Sequence, residues 1–289
     1  MSARQRIMKN ILFTATGCTR CKIVKKFMDE RGVPYAERDI KGGGKEDFQR
    51  FYKHHRQAIF RSEEGVQFPI LSDGTEIRQD LAGVLAYVLA GPKLDGFIGY
   101  GDRTGDWANG LRVSGGDASE AQAFSEVLRF LKKNGLKLEL DTDGRNAGVL
   151  KQLLEEGLGD RVVMDVIGPL SLYARILRAP IDETEIQKTI RLVPRFPEYR
   201  FETKVAPLIT EESRTVGIRY LTPDEIGKTA KLIKEVTGDN RQPYLLRPFR
   251  SEQVSDERLK FLEDLTPKDL LPYRMAARRH QVYTEIEKF

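Results

Sequence analysis

Ile11-Leu12-Phe13-Thr14-Ala15-Thr16-Gly17-Cys18-Thr19-Arg20-Cys21-Lys22 reads as a short apolar strand, a turn, and a Cys-x-x-Cys at the start of a helix. Cys18 and Cys21 are the only two cysteines in 289 residues, and the amphipathic stretch from Lys22 to Glu30 supplies the helix. Unpaired N–H groups at a helix N-terminus favour a thiolate, so the first thiol is expected to ionise more readily than a free cysteine. Arg20 and Lys22 add positive charge beside it. Two thiols at this spacing can close a small disulfide loop, and a Cys-x-x-Cys beside a βαβ pattern reads as a redox dithiol. So short a loop removes little entropy from the unfolded chain, which argues against a purely stabilising bridge. Zinc usually takes four ligands, and the histidines, His54, His55 and His280, stand at no ligand spacing. A metal shared with a partner or second chain, and plain structural thiols, are the alternatives to the redox reading.

Composition bounds the rest. The length exceeds one average domain, so two domains are the natural expectation. Hydrophobic residues make up 40% of the chain, enough for real cores, and 31% are charged, which suits a soluble surface. The net charge of +5 is spread through the sequence, so nucleic acid is not expected as a partner. Clusters such as Lys22/Lys25/Lys26 and Arg278/Arg279 read as solvated helix faces. Met1 to Arg6 is not followed by the apolar stretch of a signal peptide. The longest apolar run, Leu81 to Ala90, is too short to span a bilayer. No membrane partner is expected, and two cysteines outside any disulfide framework suit a cytoplasmic location.

Residues 1–90 give a first domain. After the Cys-x-x-Cys helix, Arg31-Gly32 stops it, and Val33 to Ile40 is a second strand. Glu46 to Phe60 is a helical candidate, and Val66 to Leu71 a strand interrupted by Pro69. Ser72-Asp-Gly-Thr75 is a hairpin signal, and Leu81 to Leu89 a closing apolar helix. This order resembles a glutaredoxin, or thioredoxin-like, domain. The residues that carry the resemblance are Phe13-Thr14, Cys18-x-x-Cys21, Glu30-Arg-Gly-Val-Pro-Tyr35, Asp39-Ile40, Phe68-Pro69 and Asp73-Gly74. The resemblance implies that Cys18 attacks, that Cys21 resolves, and that Pro69 is cis and faces the dithiol, its backbone helping to receive a disulfide partner. Ala15 stands where glutaredoxins usually carry the lysine that meets the glutathione carboxylate. Glu76-Ile-Arg-Gln-Asp80 replaces the Gly-Gly-x-x-Asp segment that holds its other end. A protein dithiol partner is therefore as plausible as glutathione.

Residues 94–289 alternate strand and helix patterns, which argues for a parallel α/β layer architecture. Strands are expected at Leu111–Gly116, Leu136–Leu140, Arg161–Asp165, Tyr199–Pro207 and Tyr244–Phe249. Helices are expected at Ser119–Lys133, Val149–Glu156, Glu183–Leu192, Pro223–Val236 and Lys268–Arg279. Loops after parallel strands converge on one face, where such folds bind ligands. Gly99-Tyr-Gly-Asp-Arg-Thr-Gly105 looks like a dinucleotide loop but lacks the G-x-G-x-x-G spacing.

These residues resemble the radical SAM superfamily, most closely the activating enzymes of anaerobic ribonucleotide reductase and pyruvate formate-lyase. Ser114-Gly-Gly-Asp117 matches the family's Gly-Gly-Glu, Leu140-Asp-Thr-Asp-Gly144 its Thr-Asn-Gly, and Gly159 to Asp165 its strand ending in Asp-x-Lys. Arg200-Phe-Glu-Thr203 matches its Phe-Arg-Thr, and Leu246-Arg-Pro-Phe249 its sixth strand. The resemblance implies a partial (β/α)6 TIM-like barrel with Gly115, Gly116, Asp117, Asp143, Asp165 and Glu202 at its cofactor positions. The family's cluster-binding Cys-x-x-x-Cys-x-x-Cys is absent: Phe97 to Gly110 holds no cysteine. An iron–sulfur cluster needs thiolates, so active radical chemistry is not expected. Ile167 and Glu202 stand in place of the family's lysine and arginine, which leaves an S-adenosylmethionine carboxylate without its positive partners.

The leading reading is a thiol–disulfide oxidoreductase whose dithiol is positioned by a pseudo-radical-SAM barrel, with no required cofactor or metal. Its expected partner is a disulfide-containing protein, with a glycyl-radical enzyme or its activase as a candidate. The alternative is a non-catalytic binding or regulatory module, with a redox-switch dithiol, an iron–sulfur cluster bridged across a dimer, or S-adenosylmethionine bound without radical chemistry.

Overall fold

A computed structural model describes residues 10–62, 65–99, 101, 105–212, 215–254 and 256–288. The architecture is mixed α/β, and the chain divides into two compact units, residues 1–139 and 140–289.

In the first unit, β1 (Ile11–Thr14) runs parallel to β2 (Ala36–Asp39) and antiparallel to β5 (Ile70–Ser72). The short strands β3 (Arg61–Ser62) and β4 (Gly65–Val66) pair separately. With β6 (Ile77–Gln79) the main sheet has the order β2-β1-β5-β6. Leu12 and Phe13 are buried at its centre. Helix α1 (Thr19–Glu30) buries Cys21, Val24, Phe27 and Met28, an i, i+3, i+4 stripe that fixes which face meets the core. The β5–β6 hairpin closes where Asp73 Oδ1 accepts from the N–H groups of Thr75 and Glu76, both at 2.8 Å. Gly74 there has φ 88°, a conformation that favours glycine. Helix α2 (Lys45–His55) ends before the Phe60 expected from sequence. Helix α3 (Leu81–Ala90) buries Leu81 to Ala86.

The same unit includes residues 91–139. A 3-10 segment, Gly91–Phe97, leads to β7 (Trp107–Arg112) and α4 (Ala121–Lys133). Phe27 of α1 meets Phe130 of α4 edge to face, with ring centroids 4.6 Å apart. Arg31 caps the pair, 3.6 Å above the Phe27 ring and in an ion pair of 2.5 Å with Glu126. The strand expected at 111–116 lies four residues earlier. Val113–Gly115 form a 3-10 turn instead. A Cβ on Gly96 would collide with the Gly115 carbonyl, and one on Gly116 with the Phe97 ring. The double glycine therefore lets two backbone segments approach closely.

Strand β8 (Lys137–Thr142) leads into the second unit, whose strands β9 (Arg161–Asp165), β10 (Glu198–Val205), β13 (Tyr244–Pro248) and β14 (Thr284–Ile286) are neighbours in the order β14-β13-β10-β9. The β9–β10, β10–β13 and β13–β14 pairings are parallel. Helices α5 (Ala147–Glu155), α6 (Leu170–Leu177), α7 (Glu183–Leu192), α8 (Pro223–Thr237) and α9 (Leu271–Arg278) alternate with the strands of the second unit. Thr222 and Glu225 form a reciprocal capping box at the start of α8, followed by a proline at its first position. An antiparallel hairpin, β11 (Pro207–Glu212) with β12 (Thr215–Tyr220), interrupts the alternation and was not expected from sequence. Among the described residues no helix is long and apolar enough to cross a membrane.

Candidate redox-active dithiol site

Cys18 is the N-cap of α1, with extended backbone angles of φ −75° and ψ 110°. Its position follows from the Ala15–Cys18 turn, where the Cys18 N–H donates to the Ala15 carbonyl at 2.9 Å. The turn is tied to β2: Asp39 Oδ1 accepts from the backbone N–H of Thr16 at 3.0 Å and of Lys41 at 2.9 Å, and its other oxygen accepts from the Thr16 hydroxyl. These hydrogen bonds, led by the Thr16 hydroxyl, hold the Asp39 carboxyl below the usual carboxylate range.

Cys18 and Cys21 are joined as a disulfide with Cα atoms 5.3 Å apart. The Cys21 N–H donates to Cys18 Sγ at 3.1 Å. The same donor would stabilise a thiolate on Cys18 after reduction. Cys18 is partly exposed, whereas Cys21 is 2% exposed. That asymmetry suits an attacking and a resolving thiol. The Phe68–Pro69 peptide is cis, and the Phe68 carbonyl oxygen lies 3.9 Å from Cys18 Sγ. Beneath the dithiol Phe13, Phe68 and Ile70 form a buried cluster with Phe48 and Phe51 against it. The Phe13 ring lies 4.7 Å from Phe51 and 5.4 Å from Phe48. Cys21 thus packs against an apolar floor.

Asp80 was named in sequence only as the end of a replaced segment. It lines a cleft of about 300 Å³ together with Arg78, Asp95 and Arg112. Burial pushes its carboxyl up to about 7, against the lowering effect of hydrogen bonds from backbone N–H groups and of Arg20. The hydrophobic signal of Leu81–Ala90 marks the helix that Asp80 caps, but nothing in the sequence marks the carboxyl as buried.

The other sequence-derived positions fall in both units. In the first, Gly115 and Gly116 pack against Gly96 and Phe97, and Asp117 Oδ1 accepts from the Ser119 N–H at 2.9 Å and the Ser119 hydroxyl at 2.8 Å. In the second, β9 and β10 place Asp165 opposite Glu202. Asp143 is engaged by Arg145, with an Nη2–Oδ2 distance of 2.6 Å. Glu202 is 4% exposed and is held by Arg200 Nε at 2.7 Å and Arg247 Nη1 at 3.3 Å. Both arginines thus pair with the buried Glu202 carboxylate. The Asp165 carboxyl is pushed up to about 7 by burial and then by the Glu202 charge, and its Oδ1 is buried with no hydrogen-bond partner among the described residues. Lys204, two residues along β10, is shifted down by burial and by Arg247. Residues 94–289 contain no cysteine, so this part of the chain cannot supply the thiolates of an iron–sulfur cluster. No group of three or more His, Cys, Asp or Glu residues suited to a metal ion occurs among the described residues. The Gly99–Gly105 stretch lies partly outside the described residues.

Residues 10–54 match the glutaredoxin family model. A protein of Methanocaldococcus jannaschii named for glycyl-radical enzyme activation is 23% identical over 159 residues. That match spans 54% of this chain and 61% of the relative, so the chain covers less than two thirds of the relative's length. A crystallised domain of a pyruvate-formate lyase-activating enzyme from Bacteroides vulgatus shares 14% identity at a TM-score of 0.40, covering 63% of this chain and all of that domain. The chain thus carries a glutaredoxin domain at its N-terminus and is related in sequence to a protein named as a glycyl-radical enzyme activating enzyme.

Proposed function

We propose that the protein is a thiol–disulfide oxidoreductase acting through Cys18 and Cys21. The observation that carries this reading is the position of Cys18: a partly exposed helix N-cap whose sulfur receives the Cys21 N–H, facing the Phe68–Pro69 segment. In the reduced protein the Cys18 thiolate attacks one sulfur of a partner disulfide. A Cys18–partner bond forms, and the partner's other sulfur leaves as a thiolate that takes up a proton. Cys21, once deprotonated, attacks the Cys18 sulfur and releases the second partner thiol. Two electrons pass to the partner, and the Cys18–Cys21 disulfide remains. The rate depends on thiolate fraction, leaving-group pKa and access.

Within this proposal residues 1–90 form a thioredoxin-type domain, and residues 94–289 a radical-SAM-type partial barrel that binds the partner or a small ligand. The proposed ligand contacts are Gly115, Gly116, Asp117, Asp143, Asp165 and Glu202. The relative's name makes a glycyl-radical enzyme or its activase the candidate disulfide partner. No cofactor is required for this chemistry. A Cys21→Ser variant, unable to resolve, should accumulate a mixed disulfide on Cys18. Failure of that variant to form any mixed disulfide with protein or small disulfides would refute the proposal. A visible chromophore in freshly purified protein, lost in a Cys18→Ser variant, would instead favour a cluster bridged between two chains.

A further inference from the structure

Strand β14 is an edge strand, paired on one side with β13. The Tyr283 carbonyl accepts from the Tyr244 N–H, and the Glu287 N–H donates to the Leu246 carbonyl. Odd-numbered residues therefore bond inward, and Thr284 and Ile286 turn their backbone groups to the open edge. The Thr284 carbonyl there accepts from Arg278 Nε at 3.1 Å. The backbone N–H and C=O of Ile286 have no partner among the described residues. A groove of about 380 Å³ lies between this edge and α9. Lys268, Arg274, Arg278 and Lys288 line it, against one carboxylate, Glu285. None of these four cations has an ion pair among the described residues. The acids beside them in sequence are engaged elsewhere, Asp269 by the Thr266 N–H and hydroxyl and Glu287 by Arg247. Leu271, 43% exposed, and the half-buried Ile286 give the groove an apolar lining as well.

Charged side chains often protect a sheet edge from unwanted pairing. Protection alone needs no concave, partly apolar surface, and like charges without counter-ions repel one another. One kind of occupant satisfies both the open ladder groups and the uncompensated charge. We propose that the β14 edge and the α9 groove dock an extended acidic peptide segment of a partner protein, which adds a strand beside Ile286 and sets alternate Asp or Glu side chains against Lys268, Arg274 and Lys288. Main-chain hydrogen bonds fix the register of such a strand, and its alternate side chains give the specificity. The Arg278 guanidinium keeps further N–H donors after bonding Thr284 and can meet a carboxylate of the same segment. This docking is independent of the dithiol chemistry.

The test is fluorescence anisotropy of a dye-labelled peptide in which glutamate alternates with threonine, titrated with the full chain. The peptide should bind, and binding should weaken as salt is raised. Lys268→Gln and Arg274→Gln together should weaken it about fivefold, the effect of losing two exposed charge pairs. A peptide with glutamine in place of glutamate should also bind at least about fivefold more weakly to the natural chain, a comparison that holds whether or not the variant folds. Of two peptides N-methylated at opposite sets of alternate amides, one should bind and the other should not, because only one set faces the β14 edge. Equal binding of the two methylated peptides would mean a plain anion site and would overturn the strand addition. Equal binding of the glutamine peptide would overturn the role of the cations. No peptide binding, with self-association of the Lys268→Gln/Arg274→Gln protein, would assign these side chains to protection of the edge and overturn the inference.

Discussion

The guanidinium of Arg20 donates to the backbone carbonyl oxygen of Trp107 at 3.0 Å. Arg20 lies between the two cysteines, and Trp107 opens β7, 87 residues further along the chain. A rearrangement of the residues between the cysteines on reduction is expected to reach the Trp107 backbone through this hydrogen bond. Trp107 is the single tryptophan, and the Lys137 ammonium lies 5.5 Å from its ring centroid. Its emission should shift when the disulfide is reduced, and an Arg20→Ala variant should lose most of that response. Emission indifferent to redox state in the natural protein would show that the contact transmits nothing.

Exposure separates the two thiols. Cys21 is held at 2% exposure inside the aromatic cluster, while Cys18 is partly open. Limiting alkylation of the reduced protein should therefore modify Cys18 at least about tenfold faster, since reactivity follows thiolate character and access. Peptide mapping at short times checks this. Equal labelling would mean that the helix N-cap position confers no advantage.

Asp39 ties the loop before the dithiol to β2. Its carboxyl is held below the ordinary range by the Thr16 hydroxyl and the Lys41 and Thr16 N–H groups. A carboxyl depressed on folding contributes stability that is present above its unfolded pKa and lost as pH falls through its folded one. Asp39→Ala should therefore lower the melting temperature at pH 7 and matter much less at pH 3. It should also slow disulfide exchange, because the Ala15–Cys18 turn loses its anchor. An equal melting shift at both pH values would show that the hydrogen bonds contribute no pH-dependent stability.

Much of the site was legible in the sequence. Only two cysteines, with an apolar run before them and an amphipathic stretch after them, leave one sensible geometry, and α1 starts where that pattern places it. The strand at Arg161–Asp165 matches its expected limits because a compact apolar run is bounded by charge on both sides. The strand expected over Val66–Leu71 is split by Pro69 into β4, ending at Val66, and β5, starting at Ile70, since proline rarely continues a strand. Three features were not legible. β7 gives way at Arg112 to a 3-10 turn ahead of the double glycine, where Gly116 packs against the Phe97 ring, a tertiary contact with no local signature. The Pro207–Tyr220 hairpin has no two-residue turn signal at its centre. Burial of Asp80 and Asp165 depends on neighbours remote in sequence, which periodicity does not encode.

In the second unit Asp165 offers a test of the opposite sign to Asp39. Its carboxyl is raised to about 7 by burial and the Glu202 charge. The folded state therefore keeps its proton to higher pH than the unfolded chain does. That contribution is fully present below the unfolded value near 4 and is lost as pH rises through about 7. Asp165→Asn should raise the melting temperature at pH 8 and change it little at pH 5. Melting curves of the two proteins at both pH values decide it. A variant less stable at pH 8 would mean that the ionised carboxylate is held by partners stronger than its burial cost.

The Phe27–Phe130 contact tests whether α1 and α4 share one core within the first unit. Phe27 is fully buried, its ring 4.6 Å from Phe130 and covered by Arg31 at 3.6 Å. Removing a buried phenylalanine typically costs about 3–5 kcal/mol through lost transfer energy and the cavity left behind. Phe27→Ala should fall in that range by urea denaturation. Edge-to-face pairs add about 0.5–1.5 kcal/mol of direct coupling. The double variant with Phe130→Ala should therefore lose less than the sum of the single losses, by about that coupling. Arg31→Ala should cost less than either, since its ion pair with Glu126 is largely at the surface. Additive losses at 27 and 130 would mean that the two helices are stabilised independently. The dithiol helix would then hold its shape without the segment that follows residue 90.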